Sequence, residues 1–236
     1  LQDCFTTHYD TDVFLAHVDL LQRLGYRVFV PPYRPNGKAM HVKGFLKKFD
    51  YQARQNDIVY GRIAKSGVAM VGIEASVTLT YRQEYAQRLS DRPDYRVHLF
   101  HEWLAGEIEH GRLTPPKLDN SVNMGATDAP ASLFPHCTEK TSLPDVGVKW
   151  QKIFDAFGLK LTTEKTGCCG MAGVYGHETR HQDTSRELYD LSWKKKVDAT
   201  GPQNMLVTGY SCRCQVDRYE GVKPQHPVEY LAKLVV

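Results

Sequence analysis

Apolar side chains recur at three- and four-residue spacing through much of the first half of the chain. Over residues 10–24 this spacing predicts an amphipathic helix that ends at Gly25. Further helices are predicted over residues 38–65, in one or two pieces, 79–89 and 101–110. Short apolar runs between them predict strands at 26–30, 67–71 and 95–100.

The second half repeats this alternation of strands and helices. Strands are predicted at 131–135, 159–163 and 204–208, and helices at 144–157, 184–197 and 227–234. Residues 111–130 contain three prolines and little apolar periodicity, which is typical of a linker. We therefore predict a first half over residues 1–111, a linker over 112–130 and a second half over 131–236.

The two halves can be aligned with an offset of 133 residues, the separation of Cys4 from Cys137. The same offset places Gly37 on Gly170. Self-similarity of this kind indicates an internal duplication. We therefore predict an α/β fold made of two similar duplicated halves, each a small, mainly parallel sheet flanked by helices.

The thiols are distributed unequally between the aligned halves. With two more residues of offset for the last pair, Cys168, Cys169 and Cys212 correspond to Pro35, Asn36 and Val77. Of the six cysteines, the first half therefore has only Cys4. We expect the first half to have a structural role.

Composition excludes several classes of protein. Of the 236 residues, 42% are hydrophobic and 24% are charged, so a disordered or fibrous chain is excluded. A net charge of +3 is too small to indicate a nucleic-acid partner. The longest stretch without Asp, Glu, Lys or Arg, residues 199–212, is too short to cross a bilayer, so no transmembrane segment is predicted.

The chain opens without a methionine or a charged-then-apolar leader, and we expect it to be part of a longer protein. We predict a cytoplasmic location, either free or peripheral to the inner membrane.

Six cysteines are too few for a disulfide scaffold of this length. Cys168 and Cys169 are adjacent and lie in a glycine-rich, uncharged loop, and Cys137, Cys212 and Cys214 flank other predicted elements. Grouped thiols in a cytosolic chain indicate metal binding or redox chemistry. The alternative is that each thiol packs as a small apolar side chain, which suits Cys4 best.

Four of these thiols are expected to meet at one edge of the second sheet. Cys137, the Cys168–Cys169 pair and Cys212 each follow a different predicted strand, and the carboxyl ends of parallel strands share one edge. Four thiolates suit a structural zinc or an iron–sulfur cluster, with Lys140, Lys165 and Arg213 placed to offset the negative charge. A thiol redox site and inert packing remain open from spacing alone.

Two neighbouring residues are further ligand candidates. His136 precedes Cys137 and could bind the metal or orient a ligand, although a single histidine at such a position is more often only a polar loop residue. Cys214 lies two residues beyond Cys212. No Gly-x-Gly-x-x-Gly follows a predicted strand, so we do not expect this region to hold a flavin through a motif of its own.

Three phrases of the second half resemble the cysteine-rich CCG domain family: His-Cys at 136–137, Gly-Cys-Cys-Gly at 167–170 and Tyr-Ser-Cys at 210–212. That family includes one of the heterodisulfide reductase polypeptides and parts of the iron–sulfur polypeptides of glycolate oxidase and glycerol-3-phosphate dehydrogenase. A closer resemblance, over nearly the whole chain, is to the C-terminal region of YdiJ-type FAD-linked oxidases, which are similar to D-2-hydroxyglutarate dehydrogenase. The phrases that carry it lie at 35–39, 42–46, 76–82, 137–140, 209–213 and 226–229.

The resemblance implies a function and a set of partners. It implies an electron path from a flavin, with an FAD-binding domain and a further 4Fe–4S cluster upstream in the same chain and an electron acceptor of unknown identity. It implies Cys137, Cys168, Cys169 and Cys212 as cluster ligands. The family's final Cys-x-x-Cys is incomplete, because Gly209 stands at its first cysteine, and Cys214 is an additional thiol.

Three hypotheses follow from these observations. The first is an iron–sulfur, electron-transfer region of an FAD-dependent dehydrogenase or oxidase that acts on D-2-hydroxyglutarate or a similar D-2-hydroxy acid. The second is a non-catalytic docking domain whose thiols hold zinc or no metal. The third is thiol chemistry at Cys212 and Cys214, which requires a lowered thiol pKa.

Overall fold

Residues 1–116, Leu118 and residues 131–235 are described by a computed structural model. The chain divides into two compact units. One comprises Leu1–Phe14 and Phe29–Trp103, and the other comprises Leu15–Val28 and the described residues from Leu104 onward. Among the described residues, no helix combines the length and apolar character that crossing a bilayer requires.

Up to residue 116 the chain is mainly helical. Its helices are α1 (Cys4–His8), α2 (Thr11–Arg23), α3 (Lys38–Val42), α4 (Leu46–Ala64), α5 (Ala75–Arg82), α6 (Glu84–Arg88) and α7 (Phe100–Glu109). Strands β1 (Met70–Gly72) and β2 (Val97–Leu99) pair in parallel, with Met70 opposite Val97. Phe49, Tyr85 and Val97 form part of a buried core between α4, α6 and this pair.

From residue 131 the chain forms a three-stranded parallel sheet with helices. The strands are β3 (Ala131–Phe134), β4 (Leu161–Thr163) and β5 (Met205–Val207), in the order β4-β3-β5. The helices are α8 (Cys137–Ser142), α9 (Val146–Ala156), α10 (Gln182–Tyr189), α11 (Lys195–Thr200), α12 (Tyr210–Glu220) and α13 (Pro227–Leu234). A π-helical turn, Asp190–Lys194, connects α10 to α11.

Helix α9 shows why this region folds as the periodicity predicts. Trp150, Ile153 and Phe154 are buried and lie three and four residues apart, so one face of the helix packs on the core. Gly158 has a φ of +73° and follows the end of the helix, where glycine adopts the left-handed conformation without a Cβ penalty.

The α/β class, the parallel pairing and five of the six predicted strands are confirmed within one to three residues at each end. The strand predicted at 26–30 is wrong, because these residues have no strand partner in the described part of the chain. Phe29 is 69% exposed, so the apolar run at this position does not line a sheet face.

The helix predictions are less complete. The helix predicted at 79–89 begins at Ala75 and is broken between α5 and α6 at Gln83. Helices α1, α8 and α12 were not expected, because each has only a short or mostly polar sequence. The predicted linker over 112–130 lies mainly outside the described residues, and the boundaries of the halves and the duplication itself stay predictions.

Candidate functional site

The four predicted ligand cysteines follow the carboxyl ends of three adjacent strands. Cys137 is the first residue of α8, three residues after β3, and Cys168 and Cys169 lie in the loop that follows β4. Cys212 lies in the first turn of α12, after β5. Since β4, β3 and β5 are parallel neighbours, their loops emerge at one sheet edge.

The four thiols contact one another in sequence, and we call them the thiol row. Cys137 hydrogen-bonds with Cys168, Cys168 with Cys169, and Cys169 with Cys212. Cys169 and Cys212 are buried, whereas Cys137 and Cys168 are partly exposed, and all six cysteines of the chain are free thiols. The row therefore runs from the core of this unit to its surface.

Hydrogen bonding distributes charge unevenly along the thiol row. Hydrogen bonds from Cys137 and Cys169, together with the Gly170 N–H 3.4 Å from its sulfur, hold the pKa of Cys168 well below its usual range. The hydrogen bond to Cys168 and burial raise the pKa of Cys137, and hydrogen bonds to Cys168 and Cys212 together with burial raise that of Cys169. Of Cys137, Cys168 and Cys169, Cys168 is therefore the thiol that loses its proton most readily.

These contacts are pairwise and do not by themselves form a metal centre. In the described part of the chain, no group of three or more His, Cys, Asp or Glu side chains has an arrangement that could hold a metal ion. The assignment of the thiol row as a ligand set therefore stays a prediction.

The loop that carries Cys168 and Cys169 is held tightly against two helices. Gly170 has a φ of +88°, and a Cβ at this residue would lie 2.1 Å from the backbone oxygen of Ser185 in α10. The Ser185 hydroxyl donates to the Gly170 carbonyl at 2.9 Å, and the Gln215 amide of α12 donates to the Ser185 hydroxyl at 2.8 Å. Only glycine permits this close approach, so the loop conformation depends on Gly170.

His136 is the N-cap of α8 rather than a loop residue. Its Nδ1 accepts from the Thr138 N–H at 3.3 Å, and its Nε2 is 3.2 Å from the Ser211 hydroxyl. A Cβ at Gly209 would lie 2.3 Å from the His136 ring, so the ring packs directly on the backbone before α12. Both ring nitrogens have protein partners, and the geometry favours a positioning role.

The buried carboxylate of Glu139 joins the ends of two strands, β3 and β5. Glu139 completes the capping box by accepting from the His136 N–H at 3.3 Å, and it accepts from the Thr208 hydroxyl at 2.5 Å. The Thr208 hydroxyl also accepts from the His136 N–H at 2.9 Å. Thr208 was not predicted, since a threonine at a strand end carries no distinctive signal.

Lys140 is one of the basic side chains predicted to offset the charge of the thiols, and it interacts electrostatically with them. Its Nζ donates to the carbonyl and hydroxyl oxygens of Thr166, at 2.6 and 3.0 Å. Burial lowers its pKa, and the negative potential of Cys212 and Cys137 opposes that shift. Lys140 thus connects α8 to the cysteine loop and carries positive charge beside the thiol row.

The other two predicted basic residues occupy different surroundings. Arg213 is buried, and its Nη1 donates to the carbonyl oxygens of Val207 and Thr208, at 2.9 and 3.2 Å, at the end of β5. Lys165 lies on the wall of a groove beside the thiols. The additional thiol, Cys214, is partly buried against the core that contains Cys169 and Cys212.

The groove beside the thiols has a volume of about 740 Å³. Cys137 and Cys168 form part of its wall, and Lys140 and Lys165 supply positive charge. Pro144 and Val146 supply apolar surface on another side. The two outer thiols are therefore reachable by a small molecule from solvent.

The chain is similar in sequence to known dehydrogenases. It is 44% identical over 238 residues to D-2-hydroxyglutarate dehydrogenase of Haemophilus influenzae, matching 100% of this chain and 23% of that protein. It is 43% identical over 231 residues to D-2-hydroxyglutarate dehydrogenase of Pseudomonas putida, with 97% of this chain and 21% of that protein covered. The matched part is the C-terminal region of these proteins.

A more distant similarity is to a component of another dehydrogenase. The chain is 22% identical over 206 residues to one of the polypeptides of anaerobic glycerol-3-phosphate dehydrogenase of Escherichia coli, covering 84% of this chain and 48% of that polypeptide. No protein-family model matches the chain. The chain thus corresponds to a C-terminal region of D-2-hydroxyglutarate dehydrogenases and spans about a fifth of their length.

Proposed function

We propose that this chain is the electron-transfer region of an FAD-dependent D-2-hydroxy acid dehydrogenase and that the thiol row holds an iron–sulfur cluster. The observation that carries the proposal is the uninterrupted series of contacts from Cys137 through Cys168 and Cys169 to Cys212 at one sheet edge. The 44% identity to a D-2-hydroxyglutarate dehydrogenase supports the reaction class.

The donor set fits such a group. Four thiols are the ligands that an iron–sulfur cluster requires, and thiolates at one point need compensation for their charge. The Lys140 ammonium lies beside them, and the Gly170 N–H donates to the Cys168 sulfur. The first turns of α8 and α12, which carry Cys137 and Cys212, add the partial positive charge of a helix N-terminus.

When bound, an iron–sulfur cluster takes up and releases one electron at a time. The chain's own residues would position it: Gly170 sets the loop, and His136 and Glu139 fix the start of α8 beside the end of β5. The 740 Å³ groove would admit an electron acceptor to the exposed side of Cys137 and Cys168. The FAD and a further 4Fe–4S cluster are proposed in the remaining part of the protein, upstream of this region.

The substrate and the location are part of the same proposal. The relatives' name makes D-2-hydroxyglutarate, or an acid like it, the proposed substrate, oxidised at the FAD. The cytoplasm is the proposed location. We also propose that the two halves arose by duplication and that only the second kept the thiols of the thiol row.

A docking region with a structural zinc, or with no metal, is the second candidate. Two observations favour its metal-free form: the described residues contain no ready metal-binding group, and Cys169 and Cys212 pack within a hydrophobic core. In that case the thiol row would stabilise the fold, and this region would serve only as a surface for the flavin domain.

Metal analysis of the full-length protein, purified without oxygen, distinguishes the two candidates. We expect iron and acid-labile sulfide, with an EPR signal on reduction, beyond what the upstream cluster accounts for. Cys168→Ser should remove that additional iron while the protein stays folded by circular dichroism. Zinc in place of the iron, or unchanged iron in Cys168→Ser, would contradict the cluster proposal.

A further inference from the structure

Seven consecutive residues, from the last residue of α3 to the first turn of α4, are exposed. This segment, residues 42–48, has the sequence Val-Lys-Gly-Phe-Leu-Lys-Lys. Val42 is 66% exposed and Phe45 57%, and Leu46 is exposed as well. Large apolar side chains that are exposed together in a folded unit mark a surface that contacts something other than water.

The exposed side of α4 continues this surface. Its members, which recur at spacings of three and four residues, are Lys47, Tyr51, Arg54, Ile58 and Arg62. The opposite side of the helix carries Phe49, Ala53 and Tyr60, which are buried in the core of this unit. We call residues 42–48 together with Tyr51, Arg54, Ile58 and Arg62 the basic apolar face.

The face is cationic as well as apolar. Lys43, Lys47 and Lys48 lie within the seven-residue segment, which contains no acidic side chain. The nearest carboxylate in sequence, Asp50, is bound by Arg88 through two hydrogen bonds of 2.9 and 2.6 Å. The acid nearest to the segment in sequence is therefore paired with Arg88.

Charged and apolar side chains project together from this face, which suits a boundary between water and lipid. The Lys48 ammonium lies 5.6 Å from the centre of the Phe45 ring, so the cation and the apolar ring project together from the start of α4. Gly44, with a φ of +77°, turns the chain so that Val42 and Phe45 flank the same bend. Lysine stems cover apolar groups while their ammonium groups reach phosphates.

The composition of the face distinguishes among partners. Protein interfaces are depleted in lysine at their centre, whereas here lysines alternate with the apolar residues. Single-stranded nucleic acids are bound on series of stacking aromatic rings, whereas this face has two aromatic rings, Phe45 and Tyr51, beside three aliphatic side chains. Interfacial helices that bind membranes combine Lys and Arg with Phe and Leu.

We propose that the basic apolar face binds the surface of a lipid bilayer that contains anionic headgroups. Phe45, Leu46 and Val42 would enter the headgroup region, and the lysines would contact lipid phosphates. The dehydrogenase that contains this region would then be a peripheral membrane protein. The inference is independent of whether the thiol row holds a metal.

Vesicle co-sedimentation of the full-length protein tests the proposal. We expect binding to vesicles of phosphatidylcholine with phosphatidylglycerol, weak binding to phosphatidylcholine alone, and loss of binding as salt is raised. Phe45→Ser should weaken binding about fivefold or more, and Lys47→Glu with Lys48→Glu about tenfold or more. Leu191→Ser and Lys195→Glu, at exposed positions of the other unit, are the matched controls and should bind as wild type.

A tryptophan probe separates membrane binding from coverage of the face by another part of the protein. The emission of Phe45→Trp, measured as a difference from wild type, should be red-shifted without vesicles and move to shorter wavelength when anionic vesicles are added. A blue-shifted emission before vesicles are added would mean that the rest of the protein covers the face. That result, equal binding to both vesicle types, wild-type binding by Phe45→Ser, or binding to a DNA oligonucleotide but not to vesicles would overturn the proposal.

Discussion

The loop around Gly37 and the loop around Gly170 make the same left-handed turn, with φ of +83° and +88°, but they present different chemistry. In the first, the Asn36 amide donates to the carbonyl oxygen of Val77 at 3.0 Å. In the second, the aligned contact joins the thiols of Cys169 and Cys212. An amide bonded to backbone is satisfied within the protein, whereas a thiol pair retains the capacity to bind a metal.

The starts of α1 and α8 show the same relation. Cys4 and Cys137 are each the first residue of their helix, and each follows a side chain that caps it. The cap is Asp3 in one and His136 in the other. These correspondences support the proposed duplication. They indicate that the same local backbone structure can carry either side chains that only stabilise the fold or side chains that could bind a metal.

The largest expected difference between the two regions is in metal content. Cys137→Ser should remove the additional iron from the anaerobically purified full-length protein, because it deletes one end of the thiol row. Cys4→Ser, at the aligned position, should leave the iron content unchanged. Iron and sulfide analysis measures both variants, and equal loss in the two would contradict the comparison.

The two turn glycines should differ in their contribution to stability. Gly170→Ala places a Cβ 2.1 Å from the backbone oxygen of Ser185, which cannot move without α10, and we expect a loss of about 3 kcal/mol or more. Gly37→Ala meets the Phe49 ring at 2.9 Å, and that side chain can shift, so about 1–2 kcal/mol is expected.

Urea-induced unfolding monitored by circular dichroism gives both values, with Gly158→Ala as a reference because its Cβ would meet nothing within 4 Å. If Gly37→Ala proves as costly as Gly170→Ala, the second loop is not the more tightly constrained of the two.

The helix caps should show a smaller difference. Glu139→Ala removes a buried acceptor of the Thr208 hydroxyl and the His136 N–H, and we expect a loss of about 2–3 kcal/mol. Asp3→Ala removes an N-cap that accepts from the N–H groups of Phe5 and Thr6, which typically costs about 1 kcal/mol. Thermal or urea unfolding tests the order, with Glu139→Gln expected to fall between wild type and Glu139→Ala.

Thiol reactivity gives the finest comparison. Burial and the charge of Asp3 raise the pKa of Cys4 to about 11, whereas hydrogen bonds lower that of Cys168. Since the thiolate is the reactive form, metal-free protein at pH 7 should be alkylated by iodoacetamide at Cys168 at least about tenfold faster than at Cys4. Peptide mass spectrometry measures the two rates.

That difference in alkylation should narrow as the pH rises toward 11, because Cys4 then ionises as well. Faster labelling of Cys4 at neutral pH would show that the pKa of Cys168 does not lie below that of Cys4. Cys137→Ala provides a control, since it removes one donor to Cys168 and should slow alkylation there.

Sequence alone located most of the elements that place the site. The strands at 131–134, 161–163 and 205–207 fall within the predicted ranges, because each contributes apolar side chains to the core: Leu133 and Phe134, Leu161, and all three residues of the last strand. The same rule failed at residues 26–30, where an apolar run lies at the surface with no strand partner among the described residues. Apolar composition identifies residues that can be buried but not the partner that buries them.

The polar contacts of the site were largely beyond prediction. Glu139 and Thr208 are 69 positions apart, and their hydrogen bond exists because β3 and β5 are neighbours. His136 is adjacent to a predicted ligand in sequence, yet its ring nitrogens are used by Thr138 and Ser211. Such pairings depend on side-chain directions that spacing does not specify.

The amino-acid sequence by itself determined the α/β class, the parallel strands and the presence of one thiol-rich region, because periodicity and residue chemistry are local properties. Only the tertiary structure decided that Cys168 is the central acceptor of the thiol row and that residues 42–48 are exposed. Both depend on which distant segments pack together, since packing sets the burial and the hydrogen-bond partners of each side chain.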